Sequence, residues 1–472
     1  MGNRQSLCKG RIASSLMGLN LNQIKNVVVV MMENRSFDHA LGYLSLNKFG
    51  RADVDGLKEG PDWNAKVASM CNGAPHLPWH CTDPFKATPF DPPHERGPIA
   101  IQLGDKVDGV HQMNGFVTNY ASVCPVKPED RSPVMSYFTS EESPVLGFLA
   151  DNFAICDRWF SSLPAGTQPN RLMAMSGYSK IELNTCPLPD QHLVYDWLNE
   201  RKVSWRVYHE GMPFFSIMPR WLPDILLHDN FRRFDRLDDD LMNSLPEEIP
   251  KVLFIEPTYT DAPSVGPSSD DHPPTAVKAG QEFLLKVYKA FSTNPDVWAG
   301  TVMIITYDEH GGFFDHVPPI PLTTNPPAGV NYPAFETSGV RVPALIVSPF
   351  VKSKTVFHET FDHTSILKFI GHVFGMGTYS PEVDQRPVAN IWDVLSTESI
   401  AQSQPPAPPT LVDYLAQQVE PVGYVPGTQP YNETTRAFQV ALDQMHTYSG
   451  KEAKEKFPEL IANFSPSIMP IV

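Results

Sequence analysis

Two stretches of the sequence concentrate carboxylates, an amide and imidazoles, which are groups that bind divalent cations and move protons. They read Glu33-Asn34-Arg35-Ser36-Phe37-Asp38-His39 and Asp308-Glu309-His310-Gly311-Gly312-Phe313-Phe314-Asp315-His316. A single acidic pair is typical of a solvated turn. Two stretches of such similar content favour a metal site with oxygen ligands, and the paired glycines would allow a close approach of the backbone.

The tripeptide Phe-Asp-His occurs three times, at residues 37–39, 314–316 and 361–363. A carboxylate beside an imidazole can fix its tautomer and raise its basicity. Adjacent residues need not pair, so each Asp can instead orient a different partner. For any one of these histidines a structural role is as well supported as a catalytic one.

A candidate nucleophile lies in the segment Leu163-Pro164-Ala165-Gly166-Thr167-Gln168-Pro169-Asn170-Arg171, which precedes an apolar helical run. Pro169 fits a first helical turn, with Thr167 or Gln168 near the N-cap. A hydroxyl there would lie at the positive end of the helix dipole, which favours a bound phosphate. A metal ion could lower its pKa. From this segment alone, capping by Thr167 is the simpler interpretation.

Both acidic stretches directly follow short runs of apolar, β-branched residues, 27–32 and 302–307, and similar runs occupy 252–255 and 344–347. Such runs are typical of strands buried on both faces, as in a parallel sheet. Ligands of open α/β sheets bind outside the carboxyl ends of the strands. The sequence therefore places both acidic stretches where a site would form.

Helical periodicity alternates with these strands. We expect helices at residues 275–291, 364–374 (with Thr364 or Ser365 as N-cap), 411–419 and 433–445. This alternation predicts an α/β fold with a mostly parallel central sheet and helices on both faces. Three regions are expected: an N-terminal extension at 1–25, a catalytic domain at 26–395, and a Pro-rich, then helical segment at 396–472 packed on the same domain.

The 472 residues carry 37 Lys plus Arg and 53 Asp plus Glu, a formal charge of −16. This charge argues against nucleic acid as a partner, because a phosphate backbone would be repelled. No apolar run reaches the roughly 18 residues of a membrane span. No clear signal peptide precedes the first strand, so we expect a cytoplasmic protein or one peripheral to a membrane, and secretion stays open.

The first residues, Met1-Gly2-Asn3-Arg4-Gln5-Ser6, fit a loose myristoylation pattern for which chance is the better explanation. Six cysteines without a CxxC pair argue against a zinc ribbon. Cys71 and Cys81 flank a loop containing Pro and His. They would form a disulfide in an exported protein, and buried free thiols are an equally good alternative.

The combination of motifs resembles the phosphoesterase family of bacterial phospholipases C, related acid phosphatases and plant non-specific phospholipases C. The motifs occur in the family's order over about residues 26–370. Besides the three stretches above they are Asp91-Pro92-Pro93-His94, Met113-Asn114-Gly115-Phe116, Asp271-His272-Pro273-Pro274, Gly339-Val340-Arg341-Val342-Pro343 and Phe361-Asp362-His363-Thr364-Ser365. A sulfatase-type Cys/Ser motif is missing at the nucleophile position.

This resemblance implies an alkaline-phosphatase-like fold with a site for metal-assisted phosphoryl transfer. Thr167 would be the nucleophile and form a phosphothreonine. The implied metal ligands are Glu33, Asn34, Thr167, Asp308 and Glu309. The implied catalytic histidines are His94, His272 and His363. The implied substrate-binding residues are Asn34, Asn170, Arg171, His310, Asp315 and His316.

The implied activity is a phospholipase C that uses a divalent metal ion of unknown identity to hydrolyse glycerophospholipids to diacylglycerol. An acid phosphatase acting on monoesters is the alternative, and a non-catalytic lipid- or phosphate-binding protein is a third hypothesis. We expect a phospholipid or small phosphoester substrate and transient contact with a membrane surface, without an obligate protein partner. A cluster of apolar residues could line an entrance for lipid beside the site, but such clusters more often belong to the hydrophobic core. Its members are Phe214, Phe215, Met218, Trp221 and Leu222.

Overall fold

A computed structural model describes residues 21–82, 90–395, 404–416, 432–448 and 450–464. Most of the predicted N-terminal extension, including the myristoylation-like pattern and Cys8, lies outside the described residues. The same holds for parts of the predicted C-terminal segment.

A central eight-stranded sheet forms the centre of the molecule, in the order β4-β3-β5-β1-β6-β7-β2-β8. Every neighbouring pair is parallel except the two pairs that β7 makes. The α/β class and the mostly parallel sheet are therefore confirmed. The strands are β1 Asn26–Met32, β2 Ala154–Cys156, β3 Trp205–His209, β4 Phe231–Arg233, β5 Val252–Glu256, β6 Thr301–Tyr307, β7 Ala344–Val347 and β8 Val356–Phe357.

Every residue of β1, β5, β6 and β7 is buried. Successive side chains of a strand point to opposite faces, so the sheet is covered on both faces at these strands. This explains the unbroken apolar runs from which the four strands were predicted. The reversed direction of β7 was not predicted, because a strand buried on both faces has the same composition in either direction.

Ten helices of seven or more residues are described: α1 Pro61–Val67, α2 Arg96–Leu103, α3 Pro144–Asn152, α4 Thr167–Ser176, α5 Val194–Glu200, α6 Leu237–Asn243, α7 Lys278–Ser292, α8 Thr364–Phe374, α9 Glu433–Tyr448 and α10 Gly450–Lys456. Shorter α-helices are Phe37–Ala40, Phe116–Tyr120, Leu222–Leu227, Pro295–Trp298, Pro381–Gln385, Val412–Ala416 and Pro458–Asn463. Short 3-10 helices are Leu21–Gln23, Gly42–Ser45, Pro133–Met135, Phe214–Ile217, Pro219–Trp221, Phe234–Arg236 and Ile391–Val394.

The predicted helices are all present, with some changes at their ends. The bounds of α8 are correct, but its N-cap is His363, and neither Thr364 nor Ser365 caps it. The carboxylate of Asp362 instead accepts the N–H and the hydroxyl of Thr364. Helix α7 begins three residues late, and α9 continues to Tyr448. Of the predicted helix at 411–419, Val412–Ala416 is helical and 417–419 lies outside the described residues.

Five two-stranded sheets complete the described secondary structure. They pair Pro321–Thr324 with Phe335–Thr337, Phe361–Asp362 with Trp159–Phe160, Ser69–Cys71 with Ala74–His76, Trp79–His80 with Ser136–Tyr137, and Lys106–Val107 with Val110–His111.

The main hydrophobic core includes the sheet and reaches into the C-terminal helices through Phe438, Met445 and Phe457. The aromatic cluster that could have formed an apolar entrance is buried in this core, so the core interpretation is confirmed: Phe214, Phe215, Met218, Trp221 and Leu222. No disulfide joins Cys71 to Cys81. Among the described helices, none is both long and apolar enough to cross a membrane.

Candidate functional site

The site begins where β1 and β6 end side by side. Met32 is aligned with Tyr307, so the residues that follow the two strands leave the same edge of the sheet together. The Asn34 N–H donates to Asp308 Oδ1 at 3.2 Å. The structure therefore brings the two predicted acidic stretches into contact, in an interior where the acidic side chains are at most 2 % exposed.

Gly311 allows this contact to form. Its φ is +62°, and a Cβ at this position would lie 2.2 Å from the carbonyl oxygen of Asn34. Any side chain would collide with that backbone, so the expected role of the glycine in a close approach is confirmed. The Gly311 N–H also donates to Glu309 Oε2 at 2.8 Å, which fixes that carboxylate.

Helix α4 is attached to both strand ends by Arg171. Its guanidinium donates from Nε to Asp308 Oδ2 at 3.2 Å and from one terminal nitrogen to Glu33 Oε1 at 3.0 Å. Thr167 is the first residue of α4, one turn before Arg171 and therefore on the same side of the helix. Thr167 is 1% exposed, so its side chain is buried at the N-terminus of a helix that Arg171 attaches to the acidic cluster.

The N-cap of α4 is Gly166, so the alternative in which Thr167 caps the helix is wrong. Asn170 shapes the loop before the helix. Its Nδ2 donates to the carbonyls of Ala165 and Gly166 at 2.7 and 3.2 Å, and its Oδ1 accepts the Leu163 N–H at 2.9 Å. The predicted substrate-binding side chain of Asn170 is thus engaged in positioning the loop that presents Thr167.

His94 and His272 face each other, with ring centroids 5.7 Å apart. Each Nδ1 donates to a backbone carbonyl, of Pro92 at 2.7 Å and of Pro273 at 2.6 Å. This fixes both rings and leaves each Nε2 for other partners. His94 Nε2 lies 3.4 Å from Asn34 Nδ2, so the ring is next to the acidic cluster.

Neighbouring carboxylates favour the charged form of both imidazoles. Burial disfavours the charge on His94, but Glu309 and Asp91 outweigh it and raise the pKa of His94 to about 10. For His272, too, burial opposes the charge, and Asp91 and other nearby carboxylates raise its pKa above the ordinary value. A pKa of about 10 leaves His94 protonated at neutral pH, which suits it to act as an acid.

His363 has a different environment. Its Nε2 lies 2.6 Å from the Asp308 carbonyl, and its Nδ1 accepts from Trp159 Nε1 at 3.3 Å. Burial lowers the pKa of His363 to about 4, so the ring is neutral and both its nitrogens are engaged. In this geometry His363 supports the backbone of Asp308.

His310 also contacts the acidic cluster from within the protein. Its Nε2 lies 2.7 Å from Gln102 Oε1, and its Nδ1 lies 3.3 Å from Glu309 Oε2. The ring thereby connects helix α2 to a candidate metal ligand.

Asp315 and His316 form part of a second cluster. His316 Nδ1 lies 2.7 Å from Asp38 Oδ2, and Arg341 Nε donates to Asp315 Oδ1 at 2.9 Å. The Asp of one Phe-Asp-His tripeptide therefore orients the His of another, which is the pairing between different partners that the repeated motif left open. Asp315 and His316, both predicted to bind substrate, are therefore held in a buried ionic network with Asp38 and Arg341.

Sequence reasoning missed Asp91 and Glu95, the two acids that flank the His94 segment. Asp91, His94 and His272 offer ligand atoms within 4.8 Å of one another. Gly166 directly precedes Thr167 in the chain. A Cβ placed on Gly166 would lie 3.0 Å from the Glu95 carboxyl group. Burial raises the pKa of Asp91 and of Glu95. The available signal was their position around the imidazole in Asp91-Pro92-Pro93-His94-Glu95.

The residues present fit a divalent cation. Asn34 Oδ1 and Glu309 Oε1 are buried and have no hydrogen-bond partner among the described residues. Buried acceptors of this kind call for a donor or a cation. Burial raises the pKa of Glu33 and raises that of Asp308 to about 6, because Arg171 only partly offsets the loss of water around the two carboxylates. Carboxylate and amide oxygens are the donors that hard divalent ions prefer.

Comparison with known proteins identifies the family of the chain. The phosphoesterase family model matches residues 24–377. Non-specific phospholipase C1 of Arabidopsis thaliana is 34% identical over 379 residues, which cover 75% of this chain and 68% of the relative. Phospholipase C B of Mycobacterium tuberculosis is 30% identical over 83% of this chain and 81% of its own length. A solved alkaline phosphatase superfamily protein of Vibrio parahaemolyticus matches 65% of this chain and 82% of its own, with 13% identity and a TM-score of 0.31.

Proposed function

Because this chain belongs to the phosphoesterase family and is a phosphoric ester hydrolase, we propose that it is a metal-dependent phospholipase C. It would convert a glycerophospholipid to diacylglycerol and a phosphorylated head group. The relatives named phospholipase C support the substrate class. The observation that carries the proposed chemistry is Arg171, which ties the helix of Thr167 to Glu33 and Asp308.

The oxygen atoms of Glu33, Asn34, Asp308 and Glu309, with the Thr167 hydroxyl, would hold the divalent ion. When bound, such an ion neutralises the phosphate charge and lowers the pKa of a coordinated hydroxyl. The unpartnered oxygens of Asn34 and Glu309 support this assignment. Arg171 offsets part of the charge of the carboxylates and keeps them in place before substrate binds.

Thr167 Oγ would attack the phosphorus in line with the leaving oxygen. A Thr167 O–P bond forms as the bond from phosphorus to the diacylglycerol oxygen breaks. His94 or His272 would donate the proton that the departing oxygen takes up. Water then attacks the phosphothreonine and gives one proton to the imidazole, which restores the acid. The other water proton stays on the released phosphorylated head group, and the Thr167 oxygen regains from solvent the proton that it gave up there on attack.

The test is product formation by purified protein from phosphatidylcholine micelles and from an aryl phosphate monoester, each with and without a chelator. Diacylglycerol release that the chelator abolishes is the expected result. Cleavage of the monoester alone would overturn the phospholipase C assignment in favour of a phosphatase. Activity that survives exhaustive chelation, with no metal retained by elemental analysis, would overturn the metal dependence.

The nucleophile is tested by Thr167→Ala, with Thr167→Ser as the matched control. The alanine variant removes the attacking oxygen and should lose turnover by at least about 10³-fold. The serine variant keeps a hydroxyl and should retain a measurable rate. Equal thermal unfolding of both variants would show that the fold is intact. Wild-type turnover by the alanine variant would refute the assignment.

A further inference from the structure

The first turn of helix α9 lies against two of the loops that form the candidate site. The helix spans Glu433–Tyr448, and the residue before it, Asn432, accepts the Thr435 N–H on Oδ1 at 2.8 Å. This bond caps the helix and fixes the direction of its first turn. The phosphoesterase family model matches residues 24–377, so this turn belongs to a part of the chain beyond the matched region.

One contact of this turn is with Gln168, the residue that follows Thr167 in α4. Gln168 Nε2 donates to Thr434 Oγ1 at 3.2 Å, and the two residues are 0% and 1% exposed. The Gln168 N–H donates to Asn184 Oδ1 at 2.9 Å, and its Oε1 accepts the Thr185 N–H at 2.8 Å. Because the bond to Thr434 is buried, water does not compete for it, and it attaches the start of α4 to α9.

A second contact is with Asp261, in the loop that leads from β5 to His272. Asp261 Oδ1 accepts from Asn432 Nδ2 at 2.9 Å and from Thr435 Oγ1 at 2.8 Å. Burial opposes the charge on His272, and Asp91 and then Asp261 raise its pKa. The turn therefore fixes a carboxylate that acts electrostatically on a proposed catalytic imidazole.

A third contact lies one helical turn further on, at Phe438. This ring is buried and stacks on Tyr259, with the ring centroids 5.8 Å apart. The Tyr259 hydroxyl in turn accepts from a terminal nitrogen of Arg171 at 3.2 Å. Residues three and four apart lie on the same side of a helix, so Thr434, Thr435 and Phe438 form one face of α9. That face contacts three separate parts of the site.

We propose that the first turn of α9 positions Thr167 relative to His272, an inference that rests on the roles assigned to these two residues in the proposed function. Thr434 and Thr435 are positioning residues that act through Gln168 and Asp261. Since α9 is bonded to both loops, a shift of either loop against the other has to break one of these bonds. Misplacement of reacting groups by about 1 Å can cost about 10²-fold in rate, so the separation of the two loops matters to catalysis.

The test is the turnover of Thr434→Val, with Thr434→Ser as its matched partner, on phosphatidylcholine micelles and on an aryl phosphate monoester. Valine keeps the shape of threonine without the hydroxyl, and serine keeps the hydroxyl. The valine variant should lose about tenfold in kcat, and Thr434→Val/Thr435→Val about 10²-fold. KM should change less than about twofold, because neither residue contacts the substrate, and the serine variant should keep kcat within about twofold.

The control is Thr447→Val, an exposed threonine in the last turn of the same helix, whose hydroxyl donates to the Asp443 carbonyl at 3.1 Å. It should turn over as the wild type does. A double-mutant cycle with Gln168→Met then separates positioning from general stabilisation. If Thr434 acts through Gln168, adding Thr434→Val to Gln168→Met should lower kcat no further. Thermal unfolding of each variant is measured alongside.

Three results would contradict the inference: wild-type kcat in Thr434→Val/Thr435→Val, equal losses in the valine and serine variants, or losses that add in the double-mutant cycle together with a lowered melting temperature. The fate of the proposed function is recorded separately. Wild-type cleavage of the monoester without the lipid would end the phospholipase C proposal, and the same variants would still decide the positioning with the monoester. Turnover by Thr167→Ala would remove the nucleophile and the inference with it.

Discussion

The same two loops contribute residues to two buried acidic clusters, which differ in how completely their side chains are hydrogen-bonded. The first contains Asn34 and Glu309 with Arg171, and the second contains Asp315 and His316 with Arg341. Both lie beyond the ends of β1 and β6, and both contain a buried guanidinium. Their residue types do not separate a catalytic centre from a structural network.

Hydrogen bonding separates them. In the second cluster, Asp315 Oδ1 accepts from Arg341 and from the Val317 N–H, and its Oδ2 accepts from the Asp38 N–H. In the first cluster, Asn34 Oδ1 and Glu309 Oε1 have no hydrogen-bond partner within the part of the chain that the structure describes. A fully bonded cluster stabilises the fold, whereas buried acceptors without partners indicate a site for a ligand.

The largest effect should follow from Glu309→Gln. This change keeps the shape of the side chain but removes the charge that faces His94 and the proposed metal. We expect kcat/KM to fall by about 10³-fold or more, with the melting temperature unchanged or raised. Steady-state kinetics and calorimetry check this, and Glu282→Gln, on the partly exposed face of α7, is the control. A large loss of stability with normal kinetics would instead show that Glu309 stabilises the fold and does not bind the metal.

Asp315→Asn should have the opposite profile. Arg341 is fully buried and would lose a charged partner, which costs about 3–5 kcal/mol when one member of a buried ion pair is removed. The free energy of unfolding in urea should fall by that amount, while kcat/KM per folded molecule stays within about tenfold. If catalysis collapsed with unchanged stability, the roles of the two clusters would reverse and Asp315 would contact the substrate.

Metal binding should distinguish the clusters next. A divalent ion that binds only the folded chain stabilises it by about 2.7 kcal/mol at one hundred times its dissociation constant. After chelation, addition of Mg²⁺, Ca²⁺, Mn²⁺ or Zn²⁺ in turn should identify an ion that raises the melting temperature. Asp315→Asn should keep this response and Glu309→Gln should lose it. The reverse pattern would move the metal to the second cluster.

The main features of the fold were predictable because they depend on local composition. The unbroken apolar runs of β1 and β6 indicated buried strands, and the parallel arrangement required Glu33 and Asp308 to leave the same edge. The position of the Thr167 segment at a helix start followed from Pro169. These inferences need only the sequence of each element and a general rule about sheets.

The remaining features depend on contacts between distant loops. No local pattern shows that Asp38 pairs with His316 across 278 positions, or that Asn170 is engaged by its own loop. The proximity of Glu95 to Gly166 likewise comes from packing between two loops. The residue types indicated which side chains can bind a metal or transfer a proton. Tertiary packing determines which of them keep an atom free to contact a ligand.

The smallest expected effect is a pH dependence of stability that belongs to the second cluster. Burial opposes the charge on His316, but Asp38 and then Asp55 outweigh it and raise the pKa of His316 to about 9 from its ordinary 6.5. A raised folded pKa stabilises fully below pH 6.5, and this contribution is lost as the pH rises through 9. His316→Gln should therefore remove about 3 kcal/mol of stability at pH 6 and little at pH 9.5. Urea unfolding across this range checks it, with the half-exposed His358→Gln as control. Parallel pH profiles for wild type and His316→Gln would show that the second cluster is held by Arg341 alone.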